Sequence, residues 1–257
     1  MVVFVGAGSG AEDLITVRGR RLLEEADIIV YAGSLVNPKL LDVRKESCEV
    51  YNSAHMTLEE VLCVLEEGEQ AGKKVVRLHT GDPCIYGAIQ EQMDALDVKG
   101  ISYEICPGVS SFCGAAAALR REYTLPGISQ SVVITRMEGR TPVPERESIR
   151  SFAAHQATMV VFLSTGMLGR LQEELAAGGY SMDTPAAIVY KATWPEEQVL
   201  HCTVGTLEET AKRHGITKTA LIVVGNILQG EYQRSCLYDP SFATEFRQVQ
   251  ENGGSNE

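Results

Sequence analysis

Residues 2–14 read VVFVGAGSGAEDL. Four β-branched or aromatic residues run straight into glycines, and a helix-like pattern follows. A short unbroken apolar run bounded by glycine fits a strand buried on both faces, as in a parallel sheet covered by helices. The same alternation repeats outward from that start. Glu12 to Ala26 has helical spacing at Leu14, Val17, Leu22 and Leu23, and DIIVY, 27–31, is a second strand. Glu49 to Tyr51 is a short third strand, KVVRLH, 74–79, a fourth, and SYEIC, 102–106, a fifth. TLEEVLCVLEEGEQAG, 57–72, predicts a helix with a capping box at Thr57 and Glu60 and a glycine stop at Gly72. Strands alternating with helices of this length imply βαβ units and an α/β fold.

The pattern thins over REYTLPG, 121–127, where Pro126-Gly127 marks a turn. A second α/β run follows: SVVITR, a helix over Glu145 to Ala154, TMVVFLS, a helix from Met167 to Ala177, PAAIVYKA, VLHCTVGTL, a helix over Glu208 to His214, and TALIVVGNIL. The expected organisation is an N-terminal α/β domain over 1–122, a C-terminal α/β domain over 123–230 and a polar tail over 231–257.

Composition narrows the function classes. The chain has 257 residues, 44% hydrophobic and 22% charged, as in ordinary globular proteins. It contains no apolar run of the ~18 residues needed to span a membrane. It opens directly on an apolar strand with no basic leader, so no signal peptide is expected. Cysteines stand at 48, 63, 84, 106, 113, 202 and 236, an odd number with no CxxC pair. That pattern fits reduced thiols in the cytoplasm, and the spacing offers no zinc site. The net charge of −11 argues against nucleic acid as a partner. An anionic small molecule would have to be met by a local basic patch.

Gly6, Gly8 and Ala11 satisfy the G-x-G-x-x-G/A pattern of dinucleotide-binding loops. That mechanism also needs an acid at the carboxyl end of the second strand, to hold the ribose hydroxyls. Tyr31 stands there instead, and Asp27 is at the wrong end. The expected role is a tight strand-to-helix turn and a cleft wall formed by Gly8 and Ser9. Two other loops form a stronger constellation. HTGDPCIYG, 79–87, follows the fourth strand and puts Asp82 at the carboxyl edge of the sheet, where α/β proteins bind ligands. CPGVSSFCGAAAAL, 106–119, follows the fifth, where Ser110 or Ser111 can cap the next helix.

In this order and spacing, GAGSG, TGDPCIYG and PGVSS resemble the tetrapyrrole methylase family, over roughly residues 1–230. The resemblance implies two α/β domains with parallel or mixed sheets and a cleft between them, and a homodimer. It implies S-adenosylmethionine (SAM) as methyl donor, and transfer from that sulfonium needs no protein-bound metal, for which the sequence offers no convincing site. YAGSLVNP from Tyr31 and VYKATWPEEQV from Val189 look like the branch that methylates carbon 11 of precorrin-4 or cobalt-precorrin-4 in cobalamin synthesis. Matched by motif, the donor contacts would be Thr80, Gly81, Asp82, Ile85, Ser110 and Ser111. Leu163, Ser164, Ala192 and Ala220 would complete them. The family usually has proline where Ser9 stands.

Methyl transfer from a sulfonium to a ring carbon asks mainly for alignment of two reactants. No side chain is assigned as a catalytic base; His55 and His79 have no evident partner. A tetrapyrrole carries carboxylates, which call for basic side chains. Arg136, at the end of VVITR, is the first candidate and Lys191 the second; Arg18, Arg20, Arg21, Arg120 and Arg121 are also available. Trp194 is the only tryptophan. In a polar loop after a strand, Lys191 to Glu197 is expected to wall the substrate trough, with the indole against the macrocycle. The alternatives are another SAM-dependent corrin-pathway methylase, a nucleotide-dependent oxidoreductase resting on the glycine loop, and a non-catalytic ligand-binding module.

Overall fold

The structure is a computed structural model that describes residues 1–235, 238 and 241–248. Cys236 and most of the end of the polar tail lie outside the described residues. Two compact units are present. The first holds Met1–Arg120 with Ile188–Leu200 and Ala211–Leu221; the second holds Arg121–Ala187, His201–Thr210 and the chain from Ile222.

The first unit is built on β1 (Val2–Gly6), α1 (Val17–Glu25), β2 (Ile28–Tyr31), β3 (Glu49–Asn52), α2 (Leu58–Gln70), β4 (Val75–His79), α3 (Gln90–Val98), β5 (Tyr103–Cys106) and α4 (Ser111–Leu119). Its five strands lie in the order β3-β2-β4-β1-β5, with every adjacent pair parallel. β1 and β4 are buried along their whole length; the unbroken apolar run of β1 requires it, whereas β4 also buries Arg77 and His79. One face packs Val3, Val5, Leu23, Ile29 and Leu78; the other packs Phe4, Val30, Leu65, Val75 and Leu96. Alternate residues of β1 and β4 thus serve opposite cores.

Local signals set the helix ends. The α2 capping box is formed by Thr57 and Glu60, and Gly72 leaves the helix at φ 68°. The helix expected from Glu12 is shorter. A 3-10 turn covers Glu12–Leu14, and Thr16 then accepts a hydrogen bond from the Gly19 amide to start α1 at Val17. Val17 is 90% exposed, so it is not part of the buried stripe. Helix α3, over QEQMDALDV, is an element that the apolar pattern does not announce.

The second run of elements is β6 (Val132–Arg136), α5 (Ile149–Ala153), β7 (Thr158–Phe162), α6 (Leu168–Ala177), β8 (Pro185–Tyr190), β9 (Gln198–Thr203), α7 (Leu207–Arg213) and β10 (Ala220–Val224). Its sheet order is β6-β7-β10-β8-β9, parallel at β6-β7 and antiparallel at β7-β10. The helix expected over Glu145 to Ala154 breaks into a 3-10 turn and the short α5, because Ser148 caps the latter through the Ser151 amide. No helix among the described residues is long and apolar enough to cross a membrane.

Candidate functional site

In the first unit, three strand-to-helix loops meet at the carboxyl edge of the sheet, joined by main chain. Gly8 and Gly81 exchange two backbone hydrogen bonds of 3.2 and 2.9 Å, and the Ala7 amide donates to the His79 carbonyl at 2.7 Å. Asp82 adds a third tie. Its Oδ2 accepts from the Gly108 amide and its Oδ1 from the Cys84 amide, both at 2.9 Å. The expected ligand residue is therefore also the clamp that fastens the TGDP loop to the PGVSS loop.

This arrangement explains the glycines of the first loop. A Cβ on Gly6 would stand 2.6 Å from Gly108 Cα and from the Gly81 carbonyl oxygen; one on Gly8 would stand 2.8 Å from the Leu14 carbonyl oxygen. One on Gly10 would enter the Trp194 ring. All three glycines make room for the protein's own atoms. A dinucleotide loop uses its glycines to bring backbone to a pyrophosphate at a helix N-terminus. Here the N-terminus of α1 comes several residues later and is capped by Thr16.

The Trp194 loop, Lys191–Glu197, belongs to the same unit and docks on the first loop. Ser9 Oγ, buried where the family usually has proline, lies 2.9 Å from Thr193 Oγ1, which also accepts from the Ala11 amide at 3.1 Å. Asn37 Nδ2 donates to the Gly10 carbonyl at 2.9 Å. The loop holds its own tight course: Lys191 and Thr193 have φ of 46° and 67°, and Glu197 accepts from the Thr193 amide at 2.6 Å. Lys191 Nζ lies 5.2 Å from the centre of the half-buried Trp194 ring, and 3.6 Å from Glu196. Thr193, Asn37 and Gly114 are organising residues that sequence reasoning missed. A Cβ on Gly114 would meet the Ser9 side chain at 2.8 Å, which is why a glycine rather than an alanine stands just before the alanine run of α4.

Of the remaining expected donor contacts, Ile85 is half-buried, and Ala192 and Ala220 are buried at 6% and 7% exposure. Ser110 occupies the N-cap of α4 but makes no capping hydrogen bond, contrary to expectation, and Ser111 begins the helix. Thr80 Oγ1 is buried without a hydrogen-bond partner, as is His79 Nε2. Buried polar atoms are nearly always partnered, so each marks a place for a further polar group.

His79 is 3% exposed beside Phe4, and its ring is 6.1 Å from the phenyl ring. Burial, helped by the Arg77 charge, pushes its pKa from 6.5 down to about 3. Folding therefore favours the neutral ring, while the unfolded chain takes up the proton. Stability is complete above pH 6.5 and falls as the pH drops through the window between 6.5 and about 3. The slope is about 1.4 kcal/mol per pH unit. Urea unfolding of wild type and His79→Asn at pH 7.5 and 5.5 should show a steeper acid loss in wild type. Parallel losses would refute it.

In the second unit, Ser164 is fully buried; its hydroxyl donates to the Phe162 carbonyl at 2.6 Å and accepts from the Met137 amide at 2.8 Å. Leu163, between Phe162 and Ser164, is 64% exposed with φ 53°. An exposed leucine in left-handed backbone at a strand end is a strained feature of the kind that marks sites. The Arg136 guanidinium donates to the carbonyls of Met137, Thr141 and Pro142 at 3.0–3.2 Å, so it organises that loop. Among the described residues, no group of three or more His, Cys, Asp or Glu side chains could hold a metal ion.

Residues 1–208 match the family model for tetrapyrrole (corrin/porphyrin) methylases. A cobalt-precorrin-4 C(11)-methyltransferase from Methanocaldococcus jannaschii is 53% identical over 247 residues, covering 96% of this chain and 95% of the relative. A solved cobalt precorrin-4 methyltransferase, described as a cobalamin biosynthetic enzyme, superposes with a TM-score of 0.87 at 45% identity, covering 89% of this chain and 96% of that one. A uroporphyrin-III C-methyltransferase from Thermus thermophilus, solved with S-adenosylhomocysteine, gives 0.73 at 26% identity, covering 89% and 93%.

Proposed function

The chain belongs to the tetrapyrrole (corrin/porphyrin) methylases, and we propose that it transfers a methyl group to carbon 11 of precorrin-4 or cobalt-precorrin-4. It is a SAM-dependent C-methyltransferase of cobalamin biosynthesis. The observation that carries this reading is a likeness to carbon-11 methyltransferases over nearly the whole length of both chains. The glycine geometry counts against the oxidoreductase alternative, since protein atoms fill the approaches that a pyrophosphate would need.

SAM, when bound, supplies a methyl group already activated by the sulfonium charge. Thr80, Gly81, Asp82, Ile85, Ser110, Ser111, Ala192 and Ala220 would hold it in the first unit. The unpartnered Thr80 hydroxyl supports that assignment, because a polar ligand atom would complete it. The second unit's Leu163 and Ser164 are proposed on the resemblance, with the strained exposure of Leu163 in support. The chain's own work is alignment, worth roughly 7–11 kcal/mol when the reacting atoms are held in line. A loop cluster fixed by main-chain bonds and the Asp82 clamp suits that task. On the substrate side we propose Gly8, Ser9, Lys191, Trp194 and Glu197, with the indole as a wall and Lys191 meeting a carboxylate. Arg136 is proposed as a second carboxylate contact. The domain division at 122–123, cytoplasmic location and homodimeric assembly are proposed from the sequence pattern and the resemblance.

Thermal unfolding with added S-adenosylhomocysteine or NAD separates the leading readings. S-adenosylhomocysteine at 100 times its dissociation constant should add about 2.7 kcal/mol, and NAD nothing. Mass spectrometry should then find the precorrin-4 product one methyl group heavier. Stabilisation by NAD alone would overturn the assignment.

A further inference from the structure

The loop from β4 to α3 has two ends, and the Asp82 clamp fixes only the first. At the second end, Tyr86 and Ala88 have left-handed φ of 56° and 49°, although neither is glycine. Gly87 between them lies so close to the Pro83 carbonyl that no Cβ would fit. Such backbone persists only where its surroundings hold it. Three side-chain bonds do so. Gln92 Nε2 donates to the Ala88 carbonyl at 2.9 Å; Arg77 Nε donates to Gln92 Oε1 at 3.1 Å; Arg77 Nη1 donates to the Val30 carbonyl at 3.1 Å. The chain of bonds thus runs from the end of β2, through β4 and α3, to the loop. Arg77 is 7% exposed and Gln92 5%. No carboxylate pairs with Arg77 among the described residues. A buried guanidinium held only by neutral acceptors is costly, and an apolar residue would pack the core at less expense. Its geometry, a fork spanning two acceptors, is what an apolar residue lacks.

We propose that Arg77 and Gln92 are positioning residues for the methyl donor: they hold Tyr86–Ala88, and through it Ile85, in the course the donor loop requires. This rests on reading Thr80–Ile85 as that loop. Both side chains are buried and bonded within the protein, so each acts through main chain.

Gln92→Glu separates the two bonds. It keeps an acceptor for Arg77 and removes the donor to Ala88. Melting temperature should stay near that of wild type. Amide exchange over residues 85–89 should rise by about tenfold or more, as local opening becomes easier. The dissociation constant for S-adenosylhomocysteine and the KM for SAM should rise about tenfold, with kcat at saturating SAM within about threefold. If Gln92→Glu does not fold, the doubly apolar Arg77→Met/Gln92→Met variant removes both the buried charge and the tether. Its expected result is the same. Wild-type exchange and affinity in whichever variant folds would overturn the proposal. So would an affinity loss that merely follows a fall in melting temperature. A wild-type protein that does not bind S-adenosylhomocysteine would instead sink the donor-loop reading on which the proposal stands.

Discussion

Replacing Gly108 with alanine is expected to abolish methyl transfer and to destabilise the first unit by about 3 kcal/mol or more, the upper range for overpacking. The new Cβ would stand 2.7 Å from Gly6 Cα, and nearer still to the Gly81 carbonyl oxygen. These atoms are main chain, so no side chain can swing aside. Gly6 lies at the end of a fully buried central strand, and Gly81 is hydrogen-bonded to Gly8 on both its polar groups. Relief has to come from parting the loops, which also breaks the Asp82–Gly108 bond. Gly166→Ala is the control: a Cβ there meets nothing within 4 Å and the backbone φ is ordinary. It should change stability by less than about 0.5 kcal/mol. Gly6→Ala strikes the same contact from the other side. The double variant should lose much less than the two single losses combined, since the first substitution already parts the loops. A Gly108→Ala protein with native urea stability and native S-adenosylhomocysteine affinity would show that the loop junction is not the rigid element described.

How much of this junction can be read in the sequence follows from where its causes lie. The first sheet is legible because its strands are short, mostly apolar runs such as VVFVG and VVRLH, a signal contained within each run. The start of α1 is hidden because its N3 residue is Gly19, which offers no carboxylate to complete a capping box with Thr16. Helix α3 is hidden because Gln92 occupies a buried position that the apolar pattern assigns to leucine or valine. The charged residue inside VVRLH is the one local hint that a polar partner waits in the core. The glycine motif shows the limit most clearly. Its spacing reads the same whether a pyrophosphate or the protein fills the space, and at Gly6 and Gly10 the filling atoms come from Gly81, Gly108 and Trp194, far along the chain. Motif matching places Asp82 and Ser110 at the sheet edge correctly. It does not say that the Asp82 carboxylate is engaged by two backbone amides, which is a fact of geometry.

That engagement makes Asp82→Ala the second large expected effect. Each oxygen of the carboxylate accepts from one amide, Cys84 on its own loop and Gly108 on the next, at 2.9 Å. Hydrogen bonds to a charged acceptor contribute about 1.5–3 kcal/mol each, and removing the acceptor strands two donors at once. Partial exposure of Asp82 lets water replace some of the loss. A net destabilisation of about 2–4 kcal/mol is therefore expected. S-adenosylhomocysteine affinity should fall more than about tenfold because the loop is no longer pre-set. Asp82→Asn should fall between wild type and Asp82→Ala, since one oxygen still accepts while the amide nitrogen opposes the other N–H donor. Urea unfolding and calorimetric titration on the same samples separate the two roles open to this residue. Loss of stability and affinity together, graded from asparagine to alanine, identifies a clamp. Loss of affinity at native stability would place the carboxylate on the ligand itself, and the two amides would then have to find other acceptors.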